Sequence, residues 1–207
     1  LDMAQRSLDL EALALQLKGR RQASTLAATL DWPALSVQGD RLQGGALQGQ
    51  LELGGDRQLK LRLRSQAPGG HFERITVPGL HLDVDGRREA SALQGQVEGT
   101  LVLEPGPPAA ALDAMSLRLQ LDDTGLSPLQ IALDGDARLM PGAGAAQVAG
   151  TLNDQRVDAQ LELQLGGARP RLDLQARFYT LDLDRFTPPA QRGAAPAPAA
   201  ASMPLNL

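Results

Sequence analysis

The sequence predicts an all-β protein: long antiparallel strands in a strongly curled sheet (an open groove or sandwich-like), with little or no helix. Three observations predict it. Apolar and polar residues alternate with a period of two along most of the chain. Clusters of turn residues separate the alternating runs. Segments with a helical period are nearly missing. The best of them, "AALDAMSLRL" (110–119), leads directly into further alternation and reads as strand.

Taken in order, the first run is "LDLEALALQL" (8–17). Leu8 and Leu10 share one parity, and Leu13, Leu15 and Leu17 the other. A one-residue slip turns every following side chain to the opposite face, so this run predicts a β-bulge near Ala12. "ALQGQLELGG" (46–55) offers Leu47, Leu51 and Leu53 to one face. "QLKLRLR" (58–64) sets Leu59, Leu61 and Leu63 against Lys60, Arg62 and Arg64. "LHLDV" (80–84) has the same form. So does "LRLQL" (117–121), with Leu117, Leu119 and Leu121 on its apolar side. "VDAQLELQL" (157–165) sets Val157, Leu161, Leu163 and Leu165 opposite Asp158, Gln160, Glu162 and Gln164. The last run, "LDLQARF" (172–178), slips phase at Tyr179 and predicts a second bulge near Phe178.

Turns are expected at "LGGDRQ" (53–58), "APGG" (67–70), "DGRRE" (85–89), "EPGPP" (104–108), "MPGAG" (140–144) and "GGARP" (166–170). They leave roughly a dozen strands of about 8–12 residues, longer than is usual. "ALQGQ" occurs at 46–50 and again at 92–96, which marks either a repeated strand pair or a chance echo. The β domain is expected over 1–187, as an internal piece of a longer protein. The Pro/Ala-rich stretch 188–207 reads as a linker or disordered tail.

Bulk composition removes several functions. The 207 residues are 43% hydrophobic and 21% charged, as in ordinary folded domains. A net charge of −4 and the lack of basic density argue against a nucleic-acid partner. The absence of Cys excludes disulfides, thiol nucleophiles and thiolate metal sites. Aromatics are only 2%: Trp32, Phe72, Phe178, Tyr179 and Phe186. The apolar content is Leu, Val and Ala.

Candidate chemical groups are few. Asp182 and Asp184, two apart on a strand, share one face and read as a solvated edge rather than a catalytic pair. "LDVDGRRE" and "LDGDA" (133–137) carry paired aspartates but not the ligand set of a calcium loop. His71 and His81 flank an expected turn near Pro78 and Gly79, which brings them toward each other without completing a metal site. No metal, cofactor or catalytic residue is expected. The aliphatic face is the main feature. With no helix to cover it, the sheet must fold over its own leucines. That face is then either a sandwich core or a groove lining suited to acyl chains.

"ARFYTLDLDRFTPP" (176–189), followed by a Pro/Ala-rich linker and "MPLNL", resembles the AsmA family of Gram-negative envelope proteins. The resemblance is carried by Leu181, Asp182, Leu183, Asp184, Arg185, Phe186, Pro188 and Pro189, and by the Leu-rich strands upstream. It implies a periplasmic region tethered to the inner membrane by an N-terminal anchor outside this sequence. It also implies a role in outer-membrane biogenesis, with phospholipid as the cargo of a hydrophobic β-groove and other envelope proteins as possible partners. The alternative is a structural or interaction module with a sealed core and no lipid path.

Overall fold

The computed structural model describes residues 7–21, 24–123, 127–165, 170–180 and 182. Among these residues every regular element is a strand. In chain order they are β1 (Ser7–Leu10), β2 (Leu13–Arg21), β3 (Ser24–Trp32), β4 (Leu35–Gln38), β5 (Arg41–Gly44), β6 (Gln48–Gly54), β7 (Arg57–Arg64) and β8 (Gly69–His71). There follow β9 (Arg74–Arg88), β10 (Ser91–Pro105), β11 (Pro108–Asp122), β12 (Leu129–Met140), β13 (Ala143–Leu152), β14 (Gln155–Gln164) and β15 (Arg171–Phe178). All belong to one antiparallel sheet.

By strand pairing alone the sheet forks at β9, whose two halves pair with β7 and β8. Register removes the fork. Leu10 faces Leu35 and Leu13 faces Trp32, so β1–β2 and β3–β4 pair in one unbroken alignment. The same holds for β5–β6 against β7–β8. Four pairs of short strands are therefore four long strands with a break in the middle, and the sheet is a plain up-and-down meander. Its first seven long strands begin at Ser7, Ser24, Arg41, Arg57, Arg74, Ser91 and Pro108, a step of 16 or 17 residues. This cadence of a long strand and a two-residue turn is the real regularity of the chain. The two "ALQGQ" copies do not mark it, since one leads into β6 and the other starts β10, strands that run in opposite directions.

The breaks line up as a crease across the sheet. They fall at Glu11–Ala12, Pro33–Ala34, Gly45–Leu47 and Ser65–Pro68. In β9 the crease continues at Pro78–Gly79, where register with β10 shifts, and in β11 at Asp113–Ala114. Ala12, Gly79 and Ala114 have φ of 123°, 57° and 51°. Prolines suit these positions because they cannot donate to a ladder. Backbone bonds close the crease: Gly45 N to Ala34 O (2.7 Å), Gly44 N to Pro68 O (2.8 Å), Ser65 N to Leu47 O (2.9 Å) and Gln66 N to Pro78 O (3.0 Å). Buried Leu42, Ser65, Pro68 and Val77 cluster here.

Register with β3–β4 does not shift at Ala12, so no bulge stands there; the parity break expected at that point is present, as one member of a shared feature. The bulge expected near Phe178 is not, because β14 and β15 stay in register from Gln164↔Arg171 to Val157↔Phe178. Two expected turns are also corrected. "APGG" belongs to the crease, where its proline interrupts pairing. Asp85–Arg88 of "DGRRE" is strand, and the chain turns at Glu89–Ala90, because pairing with β7 and β10 holds the strand to its end. "GGARP" lies mainly outside the described residues, as do the expected linker 188–207 and the boundary at 187.

The all-β class and the long antiparallel strands match the sequence reading. The strong curl does not follow. The sheet does not close, since its order ends at β1–β2 on one side and β15 on the other. No large described side chain is fully buried, as the inside of a sandwich would require.

Trp32 gives the crease its closest fit. A Cβ on Gly44 would stand 2.6 Å from the indole Nε1 and 3.0 Å from Pro68 Cγ. Gly44→Ala should therefore cost about 1–3 kcal/mol in urea unfolding. Gly69→Ala, whose new methyl would meet only Leu42 O at 3.6 Å, should be close to neutral. Equal effects would mean that Trp32 is not wedged against the crease.

Candidate functional site: the aliphatic face

Side chains alternate across a strand, so cross-strand register decides which residues share a face. One row runs across the sheet as Leu15, Leu30, Gly49, Leu63, Leu82 and Val97. It continues as Leu117, Leu133, Gly150, Val157 and Phe178. Beyond the crease a second row runs as Leu8, Val37, Leu42, Gly70, Ile75 and Leu103. It continues as Ala110, Leu139, Gly144, Leu163 and Leu172. Every member of both rows is apolar or glycine. At about 4.8 Å between strands, each row spans roughly 48 Å.

Most of the sequence-predicted lining meets on this face. Leu51 faces Leu61, and Leu53 faces Leu59. Leu119 faces Ile131, and Leu121 faces Leu129. Leu161 packs between Ala146 and Leu174. Two residues stand apart. Leu47 lies in the crease, where its carbonyl takes the Ser65 amide. Leu165 follows β14 and bonds Gly142 through its amide (2.8 Å). Sequence reading missed Leu82, Val84, Leu93 and Val97 as lining. Gly86 and Gly95 interrupt the alternation of β9 and β10 at positions that still face the leucines.

The face is open. Its central leucines are half-buried by one another, and toward the edges exposure rises to 58% at Leu17 and 60–61% at Leu174 and Leu172. A depression of about 340 Å³ lies beyond the crease. Small residues (Ala110, Ala137, Gly144, Ala146) sit among Leu101, Leu112, Leu139, Leu161, Leu163 and Leu172, and its surface is almost wholly apolar.

The opposite face is charged and internally paired. Lys60 meets Glu52 (3.0 Å), Arg118 meets Asp134 (3.2 Å), and Arg171 meets Asp173 (2.8 Å). His81 lies between Glu98 and Asp83, 2.9 Å from each, and Arg64 joins at Asp83 (3.3 Å). His71 pairs instead with Asp40 (3.2 Å), so the two histidines are not brought together. The turn between them is at Phe72–Glu73, and His81 sits well along β9. The hydrogen bond from Lys60, then that from Gln50, hold the Glu52 carboxyl below its usual range. Asp134 is lowered by Arg118 and then Ser116. Asp136 accepts the Ala114 amide (2.9 Å). Buried Val102 is the exception on this face, opposite Thr76 and Ala111. Arg138, in the same row, reaches across β11 to Glu104 (3.1 Å), which also holds Arg74 (3.0 Å). Among the described residues no group of His, Asp and Glu is arranged to hold a metal ion.

Of the motif that carries the family resemblance, only Asp182 is described; Leu181, Leu183, Asp184, Phe186 and Pro188 lie outside. The Asp182 backbone is clasped by the Gln155 side chain, whose Oε1 accepts its N–H (2.6 Å) and whose Nε2 donates to its carbonyl (3.0 Å). Next to it, Tyr179 donates to Asp158 and lies under Arg156 and Arg177, 4.6 and 5.2 Å from the ring centre.

Fold and face together define a class: a single-layer, open, all-β sheet that is aliphatic on one side and ion-paired on the other. No protein-family model matches the chain, and no curated protein or solved structure matches it.

The Asp158 hydrogen bond, with burial and the Asp158 charge behind it, pushes the Tyr179 phenol above its ordinary value. Neutral Tyr179 is thus favoured by folding. Its contribution is complete below the unfolded value of about 10 and is lost as pH rises through the folded one. Tyr179 is the single tyrosine, so ultraviolet titration should show one high midpoint that falls in Asp158→Asn. A midpoint unchanged by that substitution would refute the coupling.

Proposed function

We propose that this chain is periplasmic sheet from an AsmA-like protein tethered to the inner membrane, and that it serves outer-membrane biogenesis by binding or conducting phospholipid acyl chains along its aliphatic face. One observation carries the reading: two wholly apolar rows cross all the long strands and are left half-open to solvent. A surface of Leu, Val, Ala and Gly without convergent polar groups suits hydrocarbon and suits polar substrates poorly. In this reading the sheet also curls toward its cargo about the crease, since bulges bend strands and increase local twist. No catalytic residue is part of it. Anchoring belongs to a segment outside this sequence; among the described residues no helix is long and apolar enough to cross a membrane.

A structural or interaction module is the second reading. It is favoured by the outer edge of β15, which pairs with no further strand among the described residues and where Leu172 and Leu174 are prominently exposed. Edge strands of this kind recruit a further strand.

Leu61→Asp separates the two. Leu61 is central on the aliphatic face, opposite Leu51 and Val84. On an open lipid-binding face the variant stays folded, because water reaches the new carboxylate, and co-purified phospholipid disappears from native mass spectra. On a sealed core the variant unfolds, because an unpaired buried charge costs several kcal/mol. Wild-type protein that neither carries nor takes up phospholipid would end the lipid reading.

A further inference from the structure

Arg57 and Arg88 face each other directly across β7 and β9. By alternation with Leu59 and with Val84 and Gly86, both belong to the aliphatic side of the sheet, at its hairpin end. Directly opposed residues have Cα atoms only about 4.5–5.5 Å apart, and like charges placed so are destabilising. On the polar face Arg64, Arg74, Arg118, Arg138 and Arg171 each have a carboxylate partner, and exposed arginines such as Arg62 and Arg87 stand there without one among the described residues but among polar neighbours; Arg57 and Arg88, also exposed, are set beside leucines instead. Arg57 and Arg88 have none among the described residues. The adjoining turn carboxylates, Asp56 and Glu89, make no ion pair with either. Among the described residues the opposite rim of the aliphatic face has no matching charge pair. There Pro105, Pro108, Met140 and Pro141 line an almost wholly apolar hollow.

We propose that Arg57 and Arg88 form an oxyanion site at the rim of the aliphatic face, taking the phosphate head of an amphiphile whose chains lie over Leu59, Leu61 and Leu63. Two guanidinium groups on adjacent strands converge on one tetrahedral anion, which neutralises the repulsion and supplies charge-assisted hydrogen bonds. The charged rim and the apolar rim then fix one orientation, head toward Arg57 and Arg88 and tails toward the crease. This inference rests on the aliphatic face being an acyl surface.

The test is calorimetric titration of the whole chain and of Arg57→Gln/Arg88→Gln with three probes: dioctanoyl phosphatidic acid, dioctanoylglycerol and inorganic phosphate. The variant removes a repulsion and should melt no lower than wild type. The expected result is phosphatidic acid bound about tenfold or more weaker by the variant, with dioctanoylglycerol bound equally by both proteins. Both lipids binding both proteins alike would overturn the arginine site and leave the acyl reading standing. Neither lipid binding wild type would overturn the acyl reading, and the arginine site with it unless phosphate alone binds wild type and not the variant.

Discussion

The structure depends on register. A single-layer sheet has one chance to separate its apolar residues from its polar ones, and one residue of slip in one strand would reverse them. This chain inserts an extra residue in the middle of strand after strand, yet the separation survives because the insertions sit at the same level. Leu10 is followed on its face by Leu13, and in the next strand Trp32 by Leu35. Leu82 gives way to Val77 in β9, and Leu117 to Leu112 in β11. Where a neighbour lacks the insertion, as in β10, the register shift takes up the difference. The crease is thus a correlated defect that any one strand alone could not tolerate.

A sheet built this way buries little. Its apolar side chains shield one another laterally and leave their tips open, and only the crease and a few valines are closely packed. The surface ion pairs of the opposite face add little each. Their regularity matters more: the row Gln50, Arg62, Asp83, Gln96 and Arg118 alternates donors and acceptors across strands. Such a face stays hydrated and discourages the sheet from stacking on its polar side. The aliphatic side has no such row of paired charges, and its leucines stay half-open to solvent.

Much of this was legible in the sequence because period two is a direct physical signature. Leu59, Leu61 and Leu63, and Leu117, Leu119 and Leu121, declare both strand and face. The parity break at Ala12 was legible for the same reason. Less visible was whatever depends on several strands at once. The crease needs Pro33, Gly45, Pro68 and Gly79 to be aligned, and their sequence spacings become equivalent only after the strands are paired. Val84, Leu93 and Val97 were hidden by glycines that sit on the same face. The "DGRRE" segment carries turn residues, but ladder bonds to both neighbours keep it extended. The echo of "ALQGQ" shows the reverse error, shared letters without shared position.

The charge pattern sharpens what the aliphatic face can be. An interaction edge would place its specificity along β1–β2 or β15, where the sheet ends among the described residues. Arg57 and Arg88 lie in neither place. They sit at the end of central strands, on the leucine side, with no ion-pair partner among the described residues, in a chain whose net charge is −4. On the proposed reading, an anionic amphiphile would answer the two exposed cations that face one another beside the leucines. The same proposal would orient the surface: a head held at that rim would point its tails across the crease, where Ala110, Ala137 and Ala146 leave room among the leucines.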